Sequence, residues 1–216
     1  QNRDGQFIDV SQKAGLNQSL LNYGLGIAVS DINQDGWPDM YICNDYLAPN
    51  YLYINHGDRT FTNKIQEKLN HTSNFSMGND IADINNDGFP DLYALDMLPA
   101  GNKRKKLLRA PSSYDYYQMK LEAGFPHQYM RNMLHLNNGD GSFSEVGQFA
   151  GVSNTDWSWA SLFADYNNDG WKDLFVTNGY LKDYTNQDFL ARMSKYLGSR
   201  SRVIRQDLLE LSKTIP

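Results

Sequence analysis

Nine-residue segments rich in side-chain oxygens occur three times in the chain. Asp31-Ile32-Asn33-Gln34-Asp35-Gly36-Trp37-Pro38-Asp39 returns as Asp83-Ile84-Asn85-Asn86-Asp87-Gly88-Phe89-Pro90-Asp91 and again as Asp165-Tyr166-Asn167-Asn168-Asp169-Gly170-Trp171-Lys172-Asp173. Calcium is a hard cation that takes about six to eight oxygens at roughly 2.3–2.6 Å. A short loop supplies them only when alternate side chains turn inward and one residue turns sharply. Positions one, three and five are Asp, Asn and Asp in every copy, and position six is a Gly that admits the tight turn. Trp37, Phe89 and Trp171 at position seven would offer backbone carbonyls. Asp39, Asp91 and Asp173 at position nine are placed to bind through both oxygens. The expectation is one Ca²⁺ in each loop, three in all.

Two other readings compete. An EF-hand loop opens in the same way but needs a carboxylate at position twelve and helices on both sides. Position twelve here is Ile42, Ala94 or Val176, and the flanks read as strands. A metal-free Asx turn would account for a lone copy. Three copies that all keep the position-nine carboxylate argue against it, since three carboxylates crowded into nine residues repel one another without a cation. Charge points the same way. Nine of the 25 acidic residues lie in the loops, leaving 16 against 20 basic ones, and three Ca²⁺ would take the formal charge from −5 to +1. The acidity belongs to the loops rather than to a surface field.

The segments around the loops must hold them. Each loop follows a small-residue apolar run (residues 26–30, 78–82 and 160–164) and precedes a β-type run: Met40-Tyr41-Ile42, Leu92-Tyr93-Ala94 and Leu174-Phe175-Val176. A third run and an Asn/Gly/Asp turn come next at residues 51–58 and 133–140, and a fourth strand opens at Phe61 or Phe143. One unit is thus four short antiparallel strands, which is a blade of a β-propeller. The predicted fold class is all-β, a propeller of four-stranded antiparallel blades with helical insertions. Residues 2–7 match 138–143, so the chain is expected to open on the last strand of a preceding blade. The third unit shows only two strands. Two complete and two partial blades suggest a piece of a larger wheel, since closure takes about four blades or more.

Two segments interrupt the repeat, giving four expected regions: blades over 1–98, an insertion over 99–131, blades again over 132–182, and a helical insertion or tail over 183–216. In the first insertion Ser112 is the predicted cap of a short helix running to Ala123 and ended by Gly124 and Pro126. In the tail, Phe189, Leu190, Met193, Tyr196 and Leu197 keep helical spacing behind Asn186 or Thr185 as cap, and Val203, Ile204, Leu208 and Leu211 mark a second helix. Both segments are expected on one face of the wheel, as a joint surface for partners.

Other chemistry finds little support. No G-x-S-x-G or H-E-x-x-H occurs, and His56, His71, His127 and His135 are scattered. His56 falls in a turn, and His135 in a strand where a cross-strand hydrogen bond is expected. Asp45 and Asp96 follow the second strand of their units and could face one site. Lys103-Arg104-Lys105-Lys106 with Arg109 is a basic run, read as a solvated loop tip rather than a nucleic-acid site because no basic stripe extends it. Tyr114, Tyr116, Tyr117, Phe125 and Tyr129 make the insertion aromatic, for stacking on sugar rings, for anchoring a protein, or for packing a small core. Cys43, the single cysteine, reads as a buried small hydrophobe. Asn17, Asn70 and Asn74 fit the glycosylation sequon. No apolar run is long enough to span a membrane.

The D-x-N-x-D-G-x-x-D loops between strands, with the Asn-x-Gly-Asp-Gly-x-Phe turn, resemble the FG-GAP/VCBS repeat that builds integrin α-chain head propellers and many bacterial surface proteins. The run from 170 to 189, with Asn178-Gly179-Tyr180 and Thr185-Asn186-Gln187-Asp188-Phe189, resembles large secreted or outer-membrane-associated proteins of Bacteroidetes-type bacteria and the cartilage acidic protein group. The resemblance covers roughly residues 1–98 and 131–190. It implies a calcium-stabilised, non-enzymatic platform outside the cell, associated with the outer membrane of a Gram-negative bacterium, that binds protein or glycan and sits with other surface subunits. A calcium-dependent lyase or hydrolase acting on polysaccharide is the alternative.

Overall fold

The computed structural model describes residues 1–108, 113–199 and 205–216. The chain opens on a hairpin of β1 (Asn2–Arg3) and β2 (Gln6–Phe7), turned by Asp4 and Gly5 at positive φ. The first four-stranded sheet is an antiparallel meander of β3 (Gly24–Ser30), β4 (Asp39–Asn44), β5 (Tyr51–Asn55) and β6 (Phe61–Asn63). A one-turn helix, α1 (Ile65–Lys68), and a short strand, β7 (His71–Ser73), lead to the second sheet, which starts with β8 (Asn79–Ala82) and β9 (Asp91–Ala94). The chain then leaves the sheet for α2 (Asn102–Leu107), α3 (Tyr114–Glu122) and β10 (His127–Tyr129). It returns with β11 (Met133–Asn137) and β12 (Phe143–Glu145) to complete the order β8-β9-β11-β12. β13 (Ser158–Ala164) and β14 (Asp173–Asn178) form a two-stranded antiparallel pair. The tail is α4 (Gln187–Gly198) and α5 (Arg205–Ser212).

Period-two alternation explains how the sheets stack. In a strand successive side chains point to opposite faces. Leu92 and Ala94 of β9 join Tyr41, Cys43, Leu52 and Ile54 of the first sheet in one core, while Tyr93 and Leu95 join Phe163, Leu174 and Val176 of the third unit in another. β9 is therefore buried on both faces. The first strands of the units, β3, β8 and β13, lie side by side. Glycine is what permits this: a Cβ on Gly26 would stand 2.8 Å from Met77 O and 2.9 Å from Gly78 Cα, and one on Gly78 would strike Trp159 O. The third unit carries Ala160 in the matching place.

A buried polar knot repeats in the first two units. Asn50 Nδ2 donates to Tyr41 Oη at 2.9 Å while its Oδ1 accepts from Asn44 N. Asn132 does the same with Tyr93 Oη at 2.9 Å and Asp96 N at 2.7 Å.

Several expectations need correction. The predicted cap Ser112 lies outside the described residues, as do Arg109, Val203 and Ile204; Ser113 caps α3, its hydroxyl accepting from Tyr116 N. The helix stops at Glu122, just ahead of Gly124 at φ +81°. Asn186 rather than Thr185 caps α4, through Phe189 N. The insertion holds more than a helix, because β10 pairs in parallel with β7 in the register His127↔His71, Gln128↔Thr72 and Tyr129↔Ser73. Insertion and tail touch through the Leu108↔Asn186 bridge. No helix among the described residues is long and apolar enough to cross a membrane.

Candidate metal centres

The three loops fold alike. Each turns at position four in the left-handed region (Gln34 φ 60°, Asn86 58°, Asn168 61°) and at the following Gly36, Gly88 or Gly170 (88°, 93°, 89°). The position-one aspartate accepts from two backbone N–H groups across the turn: Asp31 from Asp35 and Gly36 at 3.0 and 2.8 Å, Asp83 from Asp87 and Gly88 at 3.1 and 2.9 Å, Asp165 from Asp169 and Gly170 at 3.0 and 2.8 Å. The position-five aspartate accepts the N–H of Trp37, Phe89 or Trp171 at 2.9 Å each time. Asn33, Asn85 and Asn167 donate their amides to that same aspartate at 2.8, 2.8 and 2.9 Å.

The position-nine aspartate ties loop to sheet. Asp39 Oδ2 accepts from Ile32 N at 3.0 Å and Oδ1 from Asn55 N on β5 at 2.8 Å. Asp91 repeats this with Ile84 N at 3.1 Å and Asn137 N on β11 at 2.8 Å. Both are fully buried. Burial raises the pKa of each and the nearby loop aspartates push the same way, while the backbone N–H groups hold it down. Asp173 is half-buried and accepts from Tyr166 N at 3.1 Å; among the described residues no third strand stands beside it. The loops also touch in sequence: Gln34 Nε2 donates to Gly88 O, and Asn86 Nδ2 to Gly170 O at 3.1 Å. The position-seven rings of Trp37 and Phe89 cover the turn glycines Gly57 and Gly139.

The donor set fits a hard dication. A carboxylate oxygen has two acceptor sites, so one backbone hydrogen bond leaves room for a metal. Among the described residues, however, no three His, Cys, Asp or Glu side chains already converge on a point that would hold an ion. Ligation requires the aspartates to close inward and the Asn33, Asn85 and Asn167 amides to turn their oxygens from the backbone to the ion.

The other candidates resolve differently. Asp96 serves the backbone, accepting from the N–H groups of Asn74, Phe75 and Met97; burial pushes its pKa up to about 7. Asp45 accepts from Tyr46 N and is half-buried, which raises its pKa. The expected cross-strand bond at His135 is not made at Nε2, which is buried without a partner, and burial lowers its pKa to about 3. His56 makes the bond instead, to Thr62 Oγ1 at 2.8 Å. Arg104 leaves the basic run to pair with Asp156 and, at 3.4 Å, with Asp183 of the tail. Cys43 is buried, its thiol pushed up to about 12 by burial. Asn74 is buried and unsuited to glycosylation, unlike the exposed Asn17 and Asn70. Sequence reasoning missed the Asn50–Tyr41 and Asn132–Tyr93 knots, although Tyr41 and Tyr93 occupy the same place in the repeat.

Antiparallel four-stranded sheets with their first strands abreast, each carrying an acidic loop at one end, are compatible with a propeller-type β fold. The FG-GAP-like repeat matches residues 31–94 and 124–176, more than half of the chain, and the chain belongs to that family. Such repeats suggest a propeller-like binding and adhesion module, and the family is generally non-enzymatic. No curated protein matches the chain.

Proposed function

We propose that the chain is part of a calcium-stabilised β-propeller that works outside the cell as a binding and adhesion platform for protein or glycan. The observation that carries this reading is the loop itself, built three times with the same turn and the same hydrogen bonds. Asp31, Asn33, Asp35, the Trp37 carbonyl and Asp39 would hold the first ion. Asp83, Asn85, Asp87, the Phe89 carbonyl and Asp91 would hold the second, and Asp165, Asn167, Asp169, the Trp171 carbonyl and Asp173 the third. Bound calcium supplies charge neutralisation and a cross-link between the two strands that each loop joins.

The chain's own residues provide the rest. Asp39 and Asp91 fasten the loop to the third strand, and the Gly26–Gly78 approach sets the spacing of the units. The insertion and tail meet at Leu108 and Asn186, which supports their joint surface as the place for a partner.

Thermal melts in calcium and in EDTA test the calcium reading. Each site contributes about 2.7 kcal/mol at a hundredfold excess of ion over Kd. The melting temperature is expected to fall clearly in EDTA, to return with Ca²⁺ and to recover poorly with Mg²⁺, which demands a smaller octahedral site. An unchanged melt in EDTA refutes it. Protease shaving of intact source cells, followed by detection of peptides from this chain, tests the location.

A further inference from the structure

The insertion builds a cleft in which the acidic loops take no part. α3 and β10 enclose a cavity of about 320 Å³ walled by Tyr114, Tyr116, Tyr117 and Tyr129. That volume is at the lower end of small-molecule sites, which run from about 300 to 1,000 Å³. The rings are organised: Tyr117 and Tyr129 stack with centroids 6.0 Å apart and planes 24° apart, and Tyr117 Oη lies 2.6 Å from His127 Nδ1. Tyr114 is 74 % exposed at the rim.

Beneath the rings the lining turns polar. Asn74, Lys120 and Gln128 are 4 %, 3 % and 5 % exposed. Lys120 Nζ donates to Asn74 Oδ1 at 2.6 Å and lies 5.5 Å from the centre of the Tyr116 ring. Gln128 has no partner for its amide oxygen or its amide nitrogen, both of them buried. Folded proteins seldom leave such an amide unmatched. A turn of the side chain into the cleft would offer two N–H donors and two acceptor sites to an occupant. Among the described residues, Lys120 is the only charged side chain in the lining.

We propose that this cleft is a binding site for one pyranose ring of an acidic glycan, with the ring's C–H face on the tyrosines, its hydroxyls on Gln128 and its carboxylate toward Lys120. This rests on the reading of the chain as a binding module and names the ligand class. The lining favours a sugar over a nucleotide, because a single lysine does not balance the several charges of a polyphosphate. It favours an acidic ring over a neutral one, because the Lys120 ammonium is buried with an amide as its hydrogen-bond acceptor and the Asp96 carboxylate beyond Asn74 is occupied by backbone N–H groups, so a ligand anion would complete its charge pairing.

Saturation-transfer NMR on the protein in calcium, with methyl glucuronide and methyl glucoside as probes, tests the site. The glucuronide is expected to bind and the glucoside to bind more weakly. Tyr114→Ala and Tyr129→Ala are expected to weaken the glucuronide by up to about tenfold, the scale of one lost aromatic contact. Lys120→Gln is expected to erase the preference for the acid. Should that buried variant fail to fold, the wild-type preference and the variant of rim-exposed Tyr114 still decide. Binding of neither sugar, equal binding of both, indifference to the tyrosine variants, or displacement of the probe by an acidic peptide but not by a uronate oligosaccharide would each overturn the proposal. A missing calcium shift in the wild-type melt counts against the platform reading, whereas an intact shift without sugar binding counts against the cleft alone.

Discussion

Asp39 and Asp91 close their loops from inside the protein, whereas Asp173 closes the third loop from a half-buried position. The sequences of the three loops are nearly interchangeable, and their turns superimpose in φ. What differs is the third strand. Asn55 and Asn137 present a backbone N–H to the closing carboxylate of the first two loops, and the third has no such neighbour among the described residues. The loop motif fixes the turn, and the sheet fixes the closing carboxylate. A copy of the motif is thus a complete loop but only part of a rigid site.

The comparison can be broken first at the fifth residue beyond the position-nine aspartate, where the three units carry Asn44, Asp96 and Asn178. Asp96 has its folded pKa raised by burial from 3.8 to about 7. Between those values the folded chain holds a proton that the unfolded chain has lost. This group therefore contributes stability that is fully present below 3.8 and lost as pH rises through about 7, with a slope of roughly 1.4 kcal/mol per pH unit. Asp96→Asn, which copies the other units, is expected to remove that slope, at a pH-independent cost of about 1–3 kcal/mol because its amide nitrogen cannot accept from a backbone N–H that a carboxylate oxygen now serves. Urea denaturation across this range decides it, and an unchanged slope assigns the pH dependence elsewhere.

A second, smaller effect separates the loops directly. In EDTA, Asp39→Ala and Asp91→Ala each strand two backbone N–H groups, at roughly 1–3 kcal/mol per orphaned buried donor. Asp173→Ala strands one, at a less buried site, and is expected to cost under about 1 kcal/mol. Equal losses at all three positions would erase the distinction. The smallest effect lies in metal affinity. Terbium replaces calcium and is sensitised by tryptophan, and only the first and third loops carry Trp at position seven. Luminescence removed by Trp37→Phe is expected to saturate at lower terbium than that removed by Trp171→Phe, because Asp39 is held in place before the ion arrives. The reverse order would show that the third strand does not organise the site.

The loops and the meander sheets were legible because their signals are local. A nine-residue loop declares itself through spacing, and β9 through the unbroken apolar run Leu92, Tyr93 and Ala94. The parallel β7–β10 pair was not legible: three polar residues have no periodicity to read, and their partner lies 56 positions away in His127↔His71. His135 misled for a related reason, since strand position predicts a neighbour but not the burial that leaves Nε2 alone. The sequon at Asn74 was a correct pattern in a place that packing seals. The cleft is not legible as a cleft, although four of its tyrosines stand out in the sequence, because Lys120 and Gln128 acquire meaning only once α3 lies beside β10.

The hydrogen bonds from Gln34 to Gly88 and from Asn86 to Gly170 make the loops neighbours in a row rather than separate ornaments of separate sheets. Each bond ends on the carbonyl of the glycine at which the next loop turns, so whatever reshapes one loop is felt at the hinge of another. A one-dimensional array with nearest-neighbour coupling does not fill or empty as independent parts. With calcium bound as proposed, its titration would depart from that of independent sites, and its middle member, Asp83 to Asp91, would answer to both sides. Gln34→Ala would cut the first link, uncoupling one end of the row while leaving every candidate metal ligand in place.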